Sequence, residues 1–159
     1  MEFAEFYEQH LAKLIRHLMR QGAGAHEAAE AVQAAFTEAF AKWETIQYPA
    51  AWLRTVARRM YLNRSARRED LVDEVPELPG GMCPLRRVEL KEEETRVFTA
   101  LASLPPLQCQ VLSWHLDGFT TSEISTSLGL TAEAVRQNLH RGRARLKTLL
   151  LDSTVGGGR

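Results

Sequence analysis

Residues 117–147 read DGFTTSEISTSLGLTAEAVRQNLHRGRARLK, two short helical patterns joined by a tight turn at Leu128-Gly129-Leu130-Thr131. Gly129 stands where a helix must end with positive φ, and Thr131 is placed to cap the next helix through its hydroxyl. Ahead of the turn, Ile124 and Leu128 fall one helical turn apart; beyond it, Val135, Leu139, Gly142, Leu146 and Leu149 recur at helical spacing. That stripe is expected to pack the second helix against the first. Off the stripe, Arg136, His140, Arg143 and Lys147 recur at the same spacing, flanked by Arg141 and Arg145. Glu133 is the one acid between Thr131 and Leu151, whereas a helix face that only meets solvent mixes both signs. An apolar back, a cationic front and a preceding glycine turn predict a helix-turn-helix whose second helix enters the DNA major groove.

A chain of 159 residues suits one medium domain or two small helical ones. No apolar run approaches the length of a membrane span, so no membrane insertion is expected. Met1-Glu2-Phe3-Ala4-Glu5 is acidic and amphipathic, unlike the cationic-then-apolar start of a signal peptide, which predicts a cytoplasmic protein. Cys83 and Cys109 are too few and too far apart for a disulfide framework or a metal knuckle, so reduced thiols are expected. The formal net charge is +0, which taken alone argues against a polyanionic partner. The distribution argues for one: residues 1–68 carry ten Lys/Arg against seven Asp/Glu, residues 69–94 three against nine, and residues 95–159 seven against four.

Upstream, Phe3, Phe6, Tyr7, Leu11, Leu14, Ile15 and Leu18 form the apolar face of a first helix ending near Gly22-Ala23-Gly24. A second helix is expected from about His26 to Trp43, with Ala29, Val32, Phe36 and Phe40 stacked on its core side and Glu27, Glu30 and Gln33 on a polar strip beside it. His26-Glu27-Ala28-Ala29-Glu30 lacks the second histidine of a zinc-protease helix, so no metal is expected there. After a loop, Glu44 to Pro49, a third helix is expected from Ala50 to about Arg68. Arg54, Arg58, Tyr61, Ser65 and Arg68 align on one side of it, and Trp52, Val56, Arg59 and Asn63 on an adjacent one. Rings interleaved with arginines suit unpaired nucleic acid, where bases stack on aromatics while guanidinium groups hold phosphates. Trp43 and Trp52 suit a plain hydrophobic core equally well.

From Glu69 to Pro84, acids, Pro76, Pro79 and Gly80-Gly81 break every period. Helical patterns resume through Val97, Phe98, Leu101 and Leu104, and again from Leu107 to Leu116 behind Pro105-Pro106. The expected architecture is therefore all-α: a helical domain at 1–68, an acidic flexible linker at 69–94, a helix-turn-helix domain at 95–152 and a disordered tail at 153–159. No Gly-rich phosphate loop, metal-ligand cluster or nucleophile–base arrangement is found, so no enzyme, catalytic residue or cofactor is expected.

Both halves resemble the group IV, or extracytoplasmic function, sigma factors of the sigma-70 family. The first half is similar to region 2 in Glu27 to Gln33, Ala39 to Trp43 and Ala51 to Arg59; the second is similar to region 4 in Leu101 to Pro106, Gln110 to Leu112 and Glu123 to Leu146. Glu27 and Glu30 stand where the family usually has Asp, Ala34-Ala35 replaces a common Glu-Thr pair, and Ser125 fills a small-residue slot that is usually Ala. The resemblance implies a promoter-specificity subunit with core RNA polymerase, promoter DNA and, in many members, an anti-sigma factor as partners. It places Glu27, Glu30 and Gln33 on the β′ clamp helices of the polymerase. It gives Trp43, Gln47, Tyr48, Trp52, Arg54, Arg58, Arg59 and Asn63 to recognition and melting of the minus-ten element. Thr131, Glu133, Arg136, Gln137, His140, Arg141 and Arg143 fall to the minus-thirty-five duplex, with region 4 also touching the β flap. Read from the residues alone, a stand-alone helix-turn-helix regulator with an N-terminal sensing or dimerisation domain remains the alternative; it would bind a specific duplex tightly without polymerase.

Overall fold

The computed structural model describes residues 1–70 and 88–156. Residues 71–87 of the linker expected at 69–94, and 157–159 of the tail expected at 153–159, lie outside the described residues, and the last three residues of that expected linker, 92–94, open a helix instead. All regular structure among the described residues is helical: α1 (Phe3–Arg20), α2 (Ala25–Ala41), a 3-10 turn (Trp43–Thr45), α3 (Pro49–Asp70), α4 (Glu92–Ala102), α5 (Pro106–Leu116), α6 (Thr121–Leu128) and α7 (Ala132–Gly156). The chain divides into two compact units, Met1–Leu18 with Ala23–Glu89, and Met19–Gly22 with Leu90–Arg159.

In the first unit α1 buries Phe6, Leu11, Leu14, Ile15 and Leu18, the apolar face anticipated for it. Helix α2 buries mostly small side chains, Ala28, Ala29, Ala31, Ala35 and Ala39 beside Val32 and Phe36. Alanines bring helix axes close, and α3 supplies Leu53, Val56 and Ala57 to the same core. Three expectations change here. Helix α2 stops at Ala41 instead of Trp43, because Lys42 leaves helical geometry at φ −131 and Trp43 enters the 3-10 turn. Phe40, expected in the core, is 67% exposed. It sits in the last turn of α2, where its ring meets Phe3 at 5.1 Å at the edge of the aromatic cluster. Helix α3 begins at Pro49 itself and runs through Asp70, two residues into the expected linker.

In the second unit Leu101, Leu104, Cys109 and Leu112 form a buried cluster, and Val97, Leu139, Leu146 and Leu149 pack on it. The α7 stripe therefore packs on α6 near the turn, as its sequence suggested, where Ile124 and Val135 are buried, and along the rest of its length also seals against α5 and α4. Truncating such a buried leucine to alanine costs about 2–5 kcal/mol. Helix α7 continues to Gly156, past the end expected near residue 152, since nothing between Ser153 and Val155 breaks a helix.

Candidate nucleic-acid interface

The helix-turn-helix is fastened by local hydrogen bonds. At the start of α6, the Thr120 hydroxyl accepts from the Glu123 amide at 3.1 Å, and the Glu123 carboxylate accepts from the Thr120 amide at 2.9 Å. This reciprocal cap satisfies two helix-end donors. The Thr120 backbone and then its hydroxyl hold the Glu123 carboxyl below its ordinary pKa. The sequence Thr120-Thr121-Ser122-Glu123 carries the signature of that cap, which our reading of the periodicity missed. Gly129 ends α6 at φ 67, ψ 34, the left-handed conformation anticipated for it. The Ser125 hydroxyl donates to the Leu130 carbonyl across the turn, and the Thr131 hydroxyl accepts from the Ala134 amide at 3.0 Å.

With Ile124 and Val135 buried, α7 presents Arg136, Gln137, His140, Arg141 and Arg143 to solvent, and Thr131 and Glu133 are exposed at its start. Arg145 and Lys147 extend this exposed row. Arg143 Nη2 also lies 2.6 Å from His115 Nε2 on α5. His115 was not singled out in the sequence, because only the fold brings α5 beside α7.

In the first unit, Glu27, Glu30 and Gln33 share a strip of α2 as expected, but they are engaged. The Glu30 side chain is 10% exposed and lies 3.6 Å from His26 and 3.7 Å from Arg64. Gln33 Nε2 donates to the Tyr7 hydroxyl at 2.7 Å. Of the residues expected at a melted strand, Trp43 and Gln47 come together. They line a cavity of about 470 Å³ with Met1, Glu2, Phe6, Glu44, Ile46 and Pro49. Tyr48 beside it is 69% exposed. Trp52 is part-buried with Lys42 Nζ 5.8 Å from its ring, so it belongs to neither the deep core nor the open surface. Arg58 is part-buried, and Arg59 and Asn63 are exposed. Arg54 departs from expectation: it is 4% exposed, and its Nη1 donates to the Ala50 carbonyl one turn back at 2.8 Å. A guanidinium folded onto its own helix inside the core is not placed for a phosphate.

Among the described residues, no group of three His, Cys, Asp or Glu is arranged to share a metal ion. Nor is any described helix long and apolar enough to cross a membrane.

Residues 6–71 match the family model described as Sigma-70 region 2, and residues 95–146 match that described as Sigma-70, region 4. The chain is 30% identical over 158 residues to the ECF RNA polymerase sigma factor SigL of Mycobacterium tuberculosis, covering 94% of this chain and 89% of that relative. It is 27% identical over 158 residues to the RNA polymerase sigma-E factor of Streptomyces coelicolor, covering 95% and 87% respectively. To the ECF RNA polymerase sigma factor SigE of Mycolicibacterium smegmatis it is 26% identical over 155 residues, spanning 60% of that longer protein. Among solved structures, the fold is shared with the sigma factor RpoE in complex with the anti-sigma factor NepR from Bartonella quintana. That match has a TM-score of 0.71 at 19% identity over 93% of this chain and 96% of that one. It is shared also with CnrH in complex with the cytosolic domain of CnrY, with a TM-score of 0.67 at 22% identity over 95% and 88%.

A region 2 domain followed by a region 4 domain defines the chain as a member of the sigma-70 family. Within that family it is an extracytoplasmic function sigma factor, which directs RNA polymerase to start transcription at specific promoters.

Proposed function

We propose that this sigma factor grips a promoter at two points, with the residue assignments that follow. The exposed face of α7, with Arg136, Gln137, His140, Arg141 and Arg143 behind Thr131 and Glu133, reads the minus-thirty-five element in the major groove. The cavity of Trp43 and Gln47, with Tyr48 and Trp52 beside it, takes an unpaired base of the minus-ten element, while Arg58, Arg59 and Asn63 on α3 hold the adjoining backbone. Arg54 has no direct part in this because it is buried. Glu27, Glu30 and Gln33 face the β′ clamp helices. The protein acts in the cytoplasm as an initiation factor without catalytic residues of its own, and an anti-sigma factor is a candidate partner. The observation that carries the reading is the pairing, in one chain, of an exposed cationic recognition helix with a base-sized aromatic cavity beside a second cationic helix.

The experiment is transcription reconstituted from the purified chain and core polymerase on a promoter library. Specific transcripts are expected with both components and none with either alone. Glu27→Lys with Glu30→Lys is expected to abolish capture of β and β′ while leaving the helical content unchanged. Undiminished capture by that variant would remove α2 as the docking surface.

A further inference from the structure

The polar side chains that line the cavity beside the 3-10 turn accept hydrogen bonds better than they donate them. Phe6 and Trp43 pack on each other, centroids 5.2 Å apart at an angle of 59°, and together form one apolar wall of the cavity on which a flat heterocycle can lie. The indole and several backbone donors around the cavity are engaged inside the fold. Trp43 Nε1 donates to the Met1 carbonyl at 3.1 Å. The amide and hydroxyl of Thr45 both donate to the Lys42 carbonyl, at 2.9 Å and 2.7 Å. The Ile46 amide donates to the Trp43 carbonyl at 3.2 Å, and the Trp52 amide to the Tyr48 carbonyl at 3.0 Å. The side-chain polar groups lining the cavity are then the carboxylates of Glu2 and Glu44 and the carboxamide of Gln47. An ionised carboxylate only accepts, and only the carboxamide does both.

Two carboxylates are out of place in a site for a polyanion unless what enters is not a phosphate. Their charge turns phosphates toward the arginines of α3 and admits a base edge, and their chemistry then sorts the edges. Guanine offers N1–H and the N2 amine side by side, the spacing of one carboxylate's two oxygens. Cytosine and adenine each offer one exocyclic amine. The single edge donor of thymine, N3–H, is flanked by two carbonyl oxygens that a carboxylate repels.

We propose that Glu2 and Glu44 make this cavity selective for an unpaired base bearing an exocyclic amine and discriminate against thymine. Glu2, which reaches the site from the segment ahead of α1, is thereby a specificity-determining residue. The inference rests on the minus-ten reading above.

The test uses holoenzyme assembled from the full chain and core polymerase on fork templates already single-stranded in the minus-ten element, so that duplex stability does not enter. Scanning 2-aminopurine through that element locates the unstacked position by its fluorescence. Each of the four bases is then placed there and stable complex formation is measured. Thymine is expected to bind about tenfold more weakly than guanine or cytosine, and Glu2→Gln with Glu44→Gln is expected to narrow that gap to about threefold. Both side chains are exposed, and an unchanged circular dichroism spectrum verifies the fold; Glu2→Gln alone, with about half the effect, serves if the double variant is unstable. An unchanged base ranking in a folded variant overturns the selectivity. Failure to find any unstacked position overturns the minus-ten cavity itself.

Discussion

Gly142 of α7 lies so close to Leu112 of α5 that a Cβ on Gly142 would stand 2.9 Å from Leu112 Cδ1 and 3.4 Å from Gln108 Cβ. A mid-helix glycine costs about 1 kcal/mol relative to alanine, and here the close approach of two helices offsets it. Gly142→Ala recovers the helix propensity and meets the end of one turnable side chain, so its stability should stay within about 1 kcal/mol of the parent. Gly142→Val forces two more carbons against the buried Leu112 and should cost about 2–3 kcal/mol. Urea denaturation followed by circular dichroism measures both; a valine variant as stable as the parent would mean that α5 and α7 part freely.

The cap at the start of α6 should show in both mutation and pH. Thr120→Ala removes the hydroxyl acceptor and is expected to cost about 1 kcal/mol. The Glu123 carboxyl is held below its ordinary value of 4.5. A carboxyl so depressed stabilises the fold above that value, and the contribution is lost as pH falls through the lower folded value. Acidification from about pH 5 to about pH 3 should therefore destabilise the parent more than Glu123→Gln, read as the difference in denaturation midpoints. Equal acid sensitivity of the two proteins would remove the ionised cap.

His10 carries a pH dependence of the first unit. Its ring stacks on Phe6 with centroids 3.9 Å apart. Burial foremost, then the charges of Lys13 and Arg54, lower its pKa from 6.5. The unfolded chain therefore takes up this proton more readily than the folded one, and stability present above 6.5 is lost as pH falls toward the lower folded value. Denaturation midpoints from about pH 7.5 to about pH 5.5 should fall in the parent, and His10→Gln should flatten part of that slope.

On α7, base readers and backbone anchors should separate. Arg136→Ala is expected to weaken minus-thirty-five recognition by about 1–3 kcal/mol and to relax specificity at one position. Lys147→Ala should weaken all duplexes alike and reduce the salt slope by about one. Competition binding with holoenzyme across single-base promoter variants distinguishes them, and uniform loss for Arg136→Ala would make it a phosphate contact.

What could be read from the chain divides along the range of the forces involved. The turn of the helix-turn-helix was legible because Gly129, Thr131 and the residues they cap lie within one helical turn of each other. The cap of Thr120 and Glu123 was equally legible and simply unread. Arg54 was not legible: it shares its period with Arg58, and only packing decides which guanidinium faces inward beside His10. Phe40 is the converse case, an aromatic at core spacing in a last turn with too little opposite it. The cavity at Trp43 was half visible, since Trp43 and Gln47 are neighbours in sequence, while Met1 and Glu2 join them only because α1 and α2 run past one another. The partners of Glu30 were hidden for the same reason, Arg64 arriving from a different helix.

The turn between α6 and α7 is held by Ser125 on the Leu130 carbonyl, by the left-handed Gly129 and by Thr131 on the Ala134 amide, with Ile124, Val135 and Gly142 turned inward. None of these positions is among the exposed residues at 136, 137, 140, 141 and 143. The side chains that hold the joint and those that α7 exposes are thus separate sets. New promoter preferences should be obtainable by exchanging those five side chains as a set, leaving the joint that aims them unaltered.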